Sequence, residues 1–243
     1  MLELNKIYNM DCLEGMKLIP DKSIDMILCD LPYGTTACKW DTIIPFEPLW
    51  EQYKRVIKDN GAIVLTASQP FTSALVMSNI VWFKYEWIWD KVLPSGMQIA
   101  KYRPMQRHEN ILVFCKTTPS YNPIKTLQKE RKGKIYSKSE SSPIKYDNGK
   151  TKIYKDKYPQ SIQVFYKREK QSLHPTQKPV ALFEYLIKTY TNEGETVLDN
   201  CIGSGTTAVA CINTNRNYIG FELSEEYCKI AEERIGAVTQ GVK

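Results

Sequence analysis

The sequence predicts a doubly wound α/β fold, a largely parallel sheet with helices on both faces. Three observations carry this expectation. Short continuous apolar runs alternate with longer amphipathic stretches along most of the chain, as expected of strands buried on both faces and the helices that cover them. Prolines open three of the amphipathic stretches, where a first helical turn tolerates a missing N–H. Two of the apolar runs end directly in turn residues, as strand–turn–helix units require.

In chain order, strands are predicted at residues 23–29, 61–66, 86–89, 111–114, 196–199 and 218–221. Each is a short apolar, largely β-branched or aromatic run. Helices are predicted at 45–58, 70–78, 179–190, 206–213 and 224–235. Pro45, Pro70 and Pro179 fit first-turn positions, and Ser224 before Glu225 and Glu226 reads as an N-cap followed by acids on the positive helix end. From about Thr117 to Leu173 the apolar periodicity fades and Lys, Ser, Tyr, Pro and Asn dominate. The expected organisation is therefore one α/β domain, 1–116 with 173–243, carrying an insertion at 117–172.

The 243 residues, 42% hydrophobic and 25% charged, suffice for one large domain and exclude disordered or fibrous classes. The N-terminus lacks a basic region followed by an apolar run, and no stretch is long enough to span a bilayer, so a cytoplasmic location is expected. The seven cysteines have scattered spacings with no CxxC pair, so reduced, mostly buried thiols are expected instead of a zinc site or a disulfide framework. His108 and His174, the two histidines, are too isolated for a metal site. Net charge is +6, yet residues 116–172 hold 15 Lys and Arg against 5 Asp and Glu, which leaves −4 on the remainder. A basic block on a mildly acidic body suits a polyanion, and equally a solvated lysine-rich loop.

Two turns carry chemistry. The stretch from Val197 to Thr207 reads as strand, tight turn and helix start, with Gly203 and Gly205 in the turn. Glycines let a ligand approach the backbone, and helix-start amides meet polar groups. One strand later, Glu222 is placed to hold a ribose diol. Taken singly, this is as readily an ordinary βα turn, since neither GxGxxG nor a P-loop is present. The second turn, Asp30-Leu31-Pro32-Tyr33, follows the first strong strand. Asp30 can accept from an exocyclic amine, a backbone carbonyl can accept its second hydrogen, Pro32 stiffens the turn and Tyr33 offers a stacking face. By itself the turn is also readable as an exposed acid after a strand.

Asp30-Leu31-Pro32-Tyr33 resembles the Asp-Pro-Pro-Tyr signature of amino-group DNA methyltransferases. Asp199 to Thr207 is similar to their cofactor loop, and the run His174-Pro175-Thr176-Gln177-Lys178-Pro179 matches a further motif that precedes it. The order, catalytic turn before cofactor loop, resembles the beta class, a circular permutation of the Rossmann-like methyltransferase fold. The resemblance implies that Asp30, Pro32 and Tyr33 hold the target base and that S-adenosylmethionine is the cofactor. It implies that Asp199, Gly203, Ser204, Gly205 and Thr206 shape the cofactor pocket, with Glu222 on the ribose. His174, Thr176, Gln177 and Lys178 would lie near the methionine end, and Asp11 and Cys12 near the adenine. Two positions depart from the pattern: Leu31 replaces the first proline, and Asn200-Cys201 replace Pro-Phe.

The resemblance also places target recognition in the insertion, where Lys129, Arg131, Lys132 and Lys134 are candidate phosphate contacts among interleaved tyrosines. Lys101, Arg103 and Arg107 form a smaller candidate cluster upstream. An acid at the head of the catalytic turn implies adenine-N6 as the target in duplex DNA. Cytosine-N4, an RNA adenine, and a non-catalytic nucleic-acid-binding module are the alternatives. A cognate restriction nuclease and a homodimer are the partners that the resemblance allows.

Overall fold

The computed structural model describes residues 2–35, 41–139, 142–166 and 177–241, the side chains of 134–139 and 142–150 excepted. The chain runs β1 (Lys6–Asn9), α1 (Cys12–Lys17), β2 (Ile24–Cys29), α2 (Phe46–Val56), β3 (Ile57–Ala67), α3 (Phe71–Ser78), β4 (Phe83–Ser95) and β5 (Gln106–Phe114). It continues through β6 (Thr126–Ser139), β7 (Ser142–Lys157), β8 (Ile162–Val164), α4 (Val180–Tyr190), β9 (Thr196–Asp199), α5 (Thr206–Asn213), β10 (Asn217–Glu222) and α6 (Glu225–Gly241). The chain divides into two compact units, 1–122 with 161–243, and 123–160.

In the larger unit the described strands form one sheet in the order β1-β10-β9-β2-β3-β5-β4-β8. β1, β10, β9, β2 and β3 are mutually parallel, and β5 is antiparallel to both its neighbours. Strand alternation separates two cores. Met26, Leu28, Ala62 and Val64 face α4, α5 and α6 through Leu182, Phe183, Ala208 and Ala231. Ile27, Cys29, Ile63 and Leu65 face α1, α2 and α3 through Met16, Leu49, Tyr53 and Leu75. This is the doubly wound architecture expected from the sequence. Six described cysteines are free thiols, five of them buried. No helix among the described residues is long and apolar enough to cross a membrane.

The chain leaves β2 toward β3 on one side and leaves β9 toward β10 on the other, although β2 and β9 are neighbours. That is a topological switch point, and the carboxyl ends of strands open into a crevice there. Both chemically marked turns, after β2 and after β9, therefore arrive at one place.

Three local expectations are corrected. Pro45, Pro70 and Pro179 occupy the N-cap positions of α2, α3 and α4, one residue before the first turn. β1 was not expected: it is four residues long with only Ile7 buried, and its strand form comes from pairing with β10. The stretch from Thr117 to Leu173, for which no strand was predicted, contains the long antiparallel pair β6–β7, and β8 joins the large sheet beside β4. None of the described side chains of this basic, polar hairpin is buried, and its sequence lacks the apolar alternation that marks a half-buried strand.

Candidate active site

A cavity of about 490 Å³ opens at the switch point. Its floor and walls come from Asp30 to Tyr33 after β2, Asn200 to Ser204 after β9, Glu222 at the end of β10, Asp11 and Cys12 at the head of α1, and Gln177 and Lys178 before α4. These segments are far apart in sequence and share only their place at strand or helix ends.

The glycine turn is shaped for close approach. Gly203 has φ +52°, and a Cβ there would meet nothing within 4 Å. A side-chain-free, open backbone at a cavity wall is the feature a nucleoside cofactor needs. Gly205, φ +82°, is the N-cap of α5. Glu222 Oε2 accepts from the Gly203 amide at 2.9 Å, and Oε1 accepts from the Ser224 amide at 2.9 Å. The carboxylate is thereby fixed at the cavity wall with acceptor capacity remaining on both oxygens. Asp11 Oδ1 caps α1, accepting from the Leu13 and Glu14 amides at 2.9 and 3.1 Å, so the acid shapes the helix start as well as the wall. Asn200 explains its own departure from the family pattern. Its Oδ1 accepts from the Tyr53 hydroxyl, and Nδ2 reaches Cys12 Sγ at 3.7 Å and Cys201 Sγ at 3.5 Å. It thus ties the strand end to α2 and α1.

Asp199 sits beneath the turn, almost fully buried. Its carboxylate accepts from the Thr207 hydroxyl and, at 3.0 Å, from the Cys201 amide. Burial pushes its carboxyl up to about 7, against the opposing pull of those hydrogen bonds. A carboxyl raised on folding binds its proton more tightly in the native state. Its stabilisation is therefore complete below about pH 4 and lost as pH rises through about 7. Asp199→Asn removes this dependence. The variant should gain stability relative to the parent as pH rises from about 4 to about 7, by a few kcal/mol at about 1.4 kcal/mol per pH unit. Urea midpoints across that range check it; a parent–variant difference independent of pH would refute the assignment.

The second turn forms a polar cup. Asp30 Oδ1 accepts from the Tyr33 hydroxyl at 2.8 Å and from the Thr66 hydroxyl. Asp30 Oδ2 accepts from Lys178 Nζ at 2.7 Å. The Tyr33 ring stacks on Phe71 with centroids 5.3 Å apart, and burial, with Asp30 and Glu109 close by, holds its phenol well above the ordinary range. Leu31 is buried in the core on the α2 side. A residue there needs apolar bulk, which leucine supplies as proline would. Lys178 is nearly buried; burial alone would lower its ammonium, but Asp30 and Glu109 outweigh it and raise it.

Of the sequence-derived candidates, Asp11, Cys12, Asp30, Pro32, Tyr33, Gln177, Lys178, Asp199, Gly203, Ser204, Thr206 and Glu222 all line this cavity. Gly205 stands behind it against Ala231. His174 and Thr176 lie outside the described residues. Lys101 and Arg103 are exposed in the β4–β5 connection, whereas Arg107 is bound by Asp90 through two 2.8 Å hydrogen bonds. Lys129, Arg131 and Lys132 are exposed on β6, and the side chain of Lys134 lies outside the described ones. Thr66, Trp89 and Glu109 were missed. Glu109 had a signal: it is a charge on the strand face that Ile111 and Val113 bury.

A doubly wound sheet whose switch point brings a glycine turn and a carboxylate cup to one cavity is a Rossmann-like arrangement. The family model described as DNA methylase, covering the N6 and N4 amino-methyltransferases, matches residues 24–233, and the chain belongs to that family. It is 31% identical over 261 residues to Type II methyltransferase M.BglII of Bacillus subtilis, across 94% of this chain and 68% of that protein. It is 30% identical over 259 residues to the DNA adenine methyltransferase YhdJ of Escherichia coli (strain K12), across 96% of this chain and 83% of that one. Among solved structures, M1.HpyAVI in complex with SAM superposes with a TM-score of 0.64 at 27% identity, across 94% of this chain and 98% of that one.

Proposed function

We propose that the protein transfers a methyl group to the exocyclic N6 amine of adenine in duplex DNA, directly and on a flipped base. The observation that carries this reading is Asp30, a carboxylate fixed through both oxygens beside a cavity with an open glycine turn. The cofactor is S-adenosylmethionine, which supplies an electrophilic methyl group on a sulfonium. The turn at Gly203 fits its backbone approach, Glu222 its ribose diol, and Asp11 and Cys12 its adenine.

The target amine is a weak nucleophile because its lone pair is delocalised into the ring. Asp30 accepts one amine hydrogen and a carbonyl of the Leu31–Pro32 turn accepts the other. Both interactions strengthen as positive charge grows on nitrogen, which lowers the barrier. Fixing amine and donor in line contributes much of the remainder. Extruding the base costs a few kcal/mol, and an aromatic contact with Tyr33 offsets about 1–3 kcal/mol of it.

The hairpin unit supports DNA as partner through Lys129, Arg131 and Lys132, exposed along β6. Replacing the three with Ala should weaken DNA binding across all sequences. It should also reduce the slope of log K against log salt by about 0.9 for each phosphate no longer neutralised, measured by titration at several salt concentrations. An unchanged slope would remove the hairpin from the interface.

The deciding experiment for the reaction is transfer from labelled S-adenosylmethionine to mixed-sequence duplex DNA, followed by nucleoside analysis. N6-methyladenine is the expected product. N4-methylcytosine would keep the mechanism and overturn the base. Transfer to single-stranded RNA but not DNA, or cofactor binding without transfer, would replace the reading altogether.

A further inference from the structure

Lys178 belongs to the segment that sequence reasoning assigns to the methionine end of the cofactor, yet its ammonium is turned to carboxylates. Nζ lies 2.7 Å from Asp30 Oδ2 and 3.3 Å from Glu109 Oε2. The other oxygen of Glu109 lies 3.3 Å from Lys91 Nζ, which also reaches the Ser95 hydroxyl at 3.5 Å. Charge therefore alternates along Asp30, Lys178, Glu109 and Lys91. Their side chains are 24%, 8%, 13% and 3% exposed, so water screens little of it.

Glu109 and Lys91 stand where apolar residues belong. On β5, Glu109 shares its face with Ile111 and Val113; on β4, Lys91 shares its face with Trp87 and Trp89; and Glu109 is paired with Trp89 across the strands. Ion pairs in such places cost several kcal/mol of desolvation per ion, and apolar residues of similar size usually serve stability as well or better. Stability therefore does not account for the pair, whereas its connection to Asp30 does.

We propose that Lys178 and Glu109, backed by Lys91, are positioning residues for Asp30, a buried ladder of alternating charge that holds the carboxylate aimed at the target amine. This rests on the reading of Asp30 as the acceptor of that amine. Asp199, the Cys29 thiol and the Tyr33 hydroxyl neighbour Asp30, and Glu109 meets it through Lys178. Lys178 holds Asp30 through Oδ2 at 2.7 Å. A lone ammonium on Asp30 would quench the negative field that the amine experiences. Glu109, on the same nitrogen, returns part of that field, and Lys91 balances Glu109.

The test is the pH dependence of kcat on duplex DNA, together with cofactor Kd, for Lys178→Met, Lys178→Arg and Glu109→Gln. Lys178→Met should lower kcat at neutral pH about tenfold or more and move the acid limb up by about one pH unit or more, with activity recovering at alkaline pH. Cofactor Kd should be unchanged, and Lys178→Arg should restore the limb. Glu109→Gln should move the limb the opposite way while lowering the plateau, and it serves alone if Lys178→Met does not fold. A uniform loss at every pH would overturn the proposal. A raised cofactor Kd with kcat intact would overturn it too, returning Lys178 to the cofactor. Asp30→Ala measured alongside separates the two readings: turnover retained there removes Asp30 itself from the chemistry, whatever the ladder does.

Discussion

Asp30→Ala should reduce methyl transfer about 10³-fold or more while leaving S-adenosylmethionine binding intact. In the proposed reaction the carboxylate would meet, in the transition state, a nitrogen becoming positive. Removing one preorganised group of this kind costs about 10²–10³ in rate, and here the group carries a full charge. Binding should survive because the partners of Asp30 are Tyr33, Thr66 and Lys178, none of them in the glycine turn. Folding should survive because Glu109 still pairs with Lys178 when Asp30 is gone. Asp30→Asn keeps the shape and removes the charge, and its loss should be of the same order. Calorimetric titration with the cofactor, beside label transfer to DNA, separates the two functions. Turnover of Asp30→Ala within tenfold of the parent would remove Asp30 from the chemistry.

Gly205→Ala should destabilise the fold by about 2–5 kcal/mol and weaken cofactor binding as well. Gly205 has φ +82°, and a Cβ would stand 2.9 Å from Ala231 Cβ and 3.2 Å from Ala231 Cα. An L-residue forced into the left-handed region loses about 1–2 kcal/mol, and overpacking against a neighbouring backbone adds about 1–3 kcal/mol. Ala231 belongs to α6, so relief requires α6 to move away from the head of α5, and the α5 head shapes the cavity wall. For a chain of this size the thermal midpoint should fall by roughly 10 °C. Gly203→Ala is the useful contrast, since its Cβ would point into open space. Its stability cost should be limited to the backbone strain, with the larger effect on the cofactor. Thermal melts with and without cofactor distinguish the two; equal destabilisation by both variants would contradict the packing argument.

The two chemical turns were legible because each is local. A strand run, a few turn residues and a helix start follow one another in both, so Asp30 to Tyr33 and Asp199 to Thr206 could be located by reading along the chain. Glu222 was legible for the same reason, at the end of its own strand. The β6–β7 hairpin was not, because none of its described side chains is buried and the pairing of Thr126 with Lys157 spans the whole segment. β1 escaped notice because four residues with one buried side chain carry no period; their conformation is decided by β10, more than two hundred residues later.

By itself, the sequence determined the doubly wound class, the existence and type of most sheet and helix elements, and the residues of both turns, because each is written in local patterning and turn chemistry. The tertiary structure alone decided that the turns share a switch point, that Lys178 pairs with Asp30, and that Glu109 and Lys91 extend that pairing into the core. Those relations join β2, β4, β5 and the start of α4 across the sheet. Their cause is strand order and pleat direction, which no window along the chain contains.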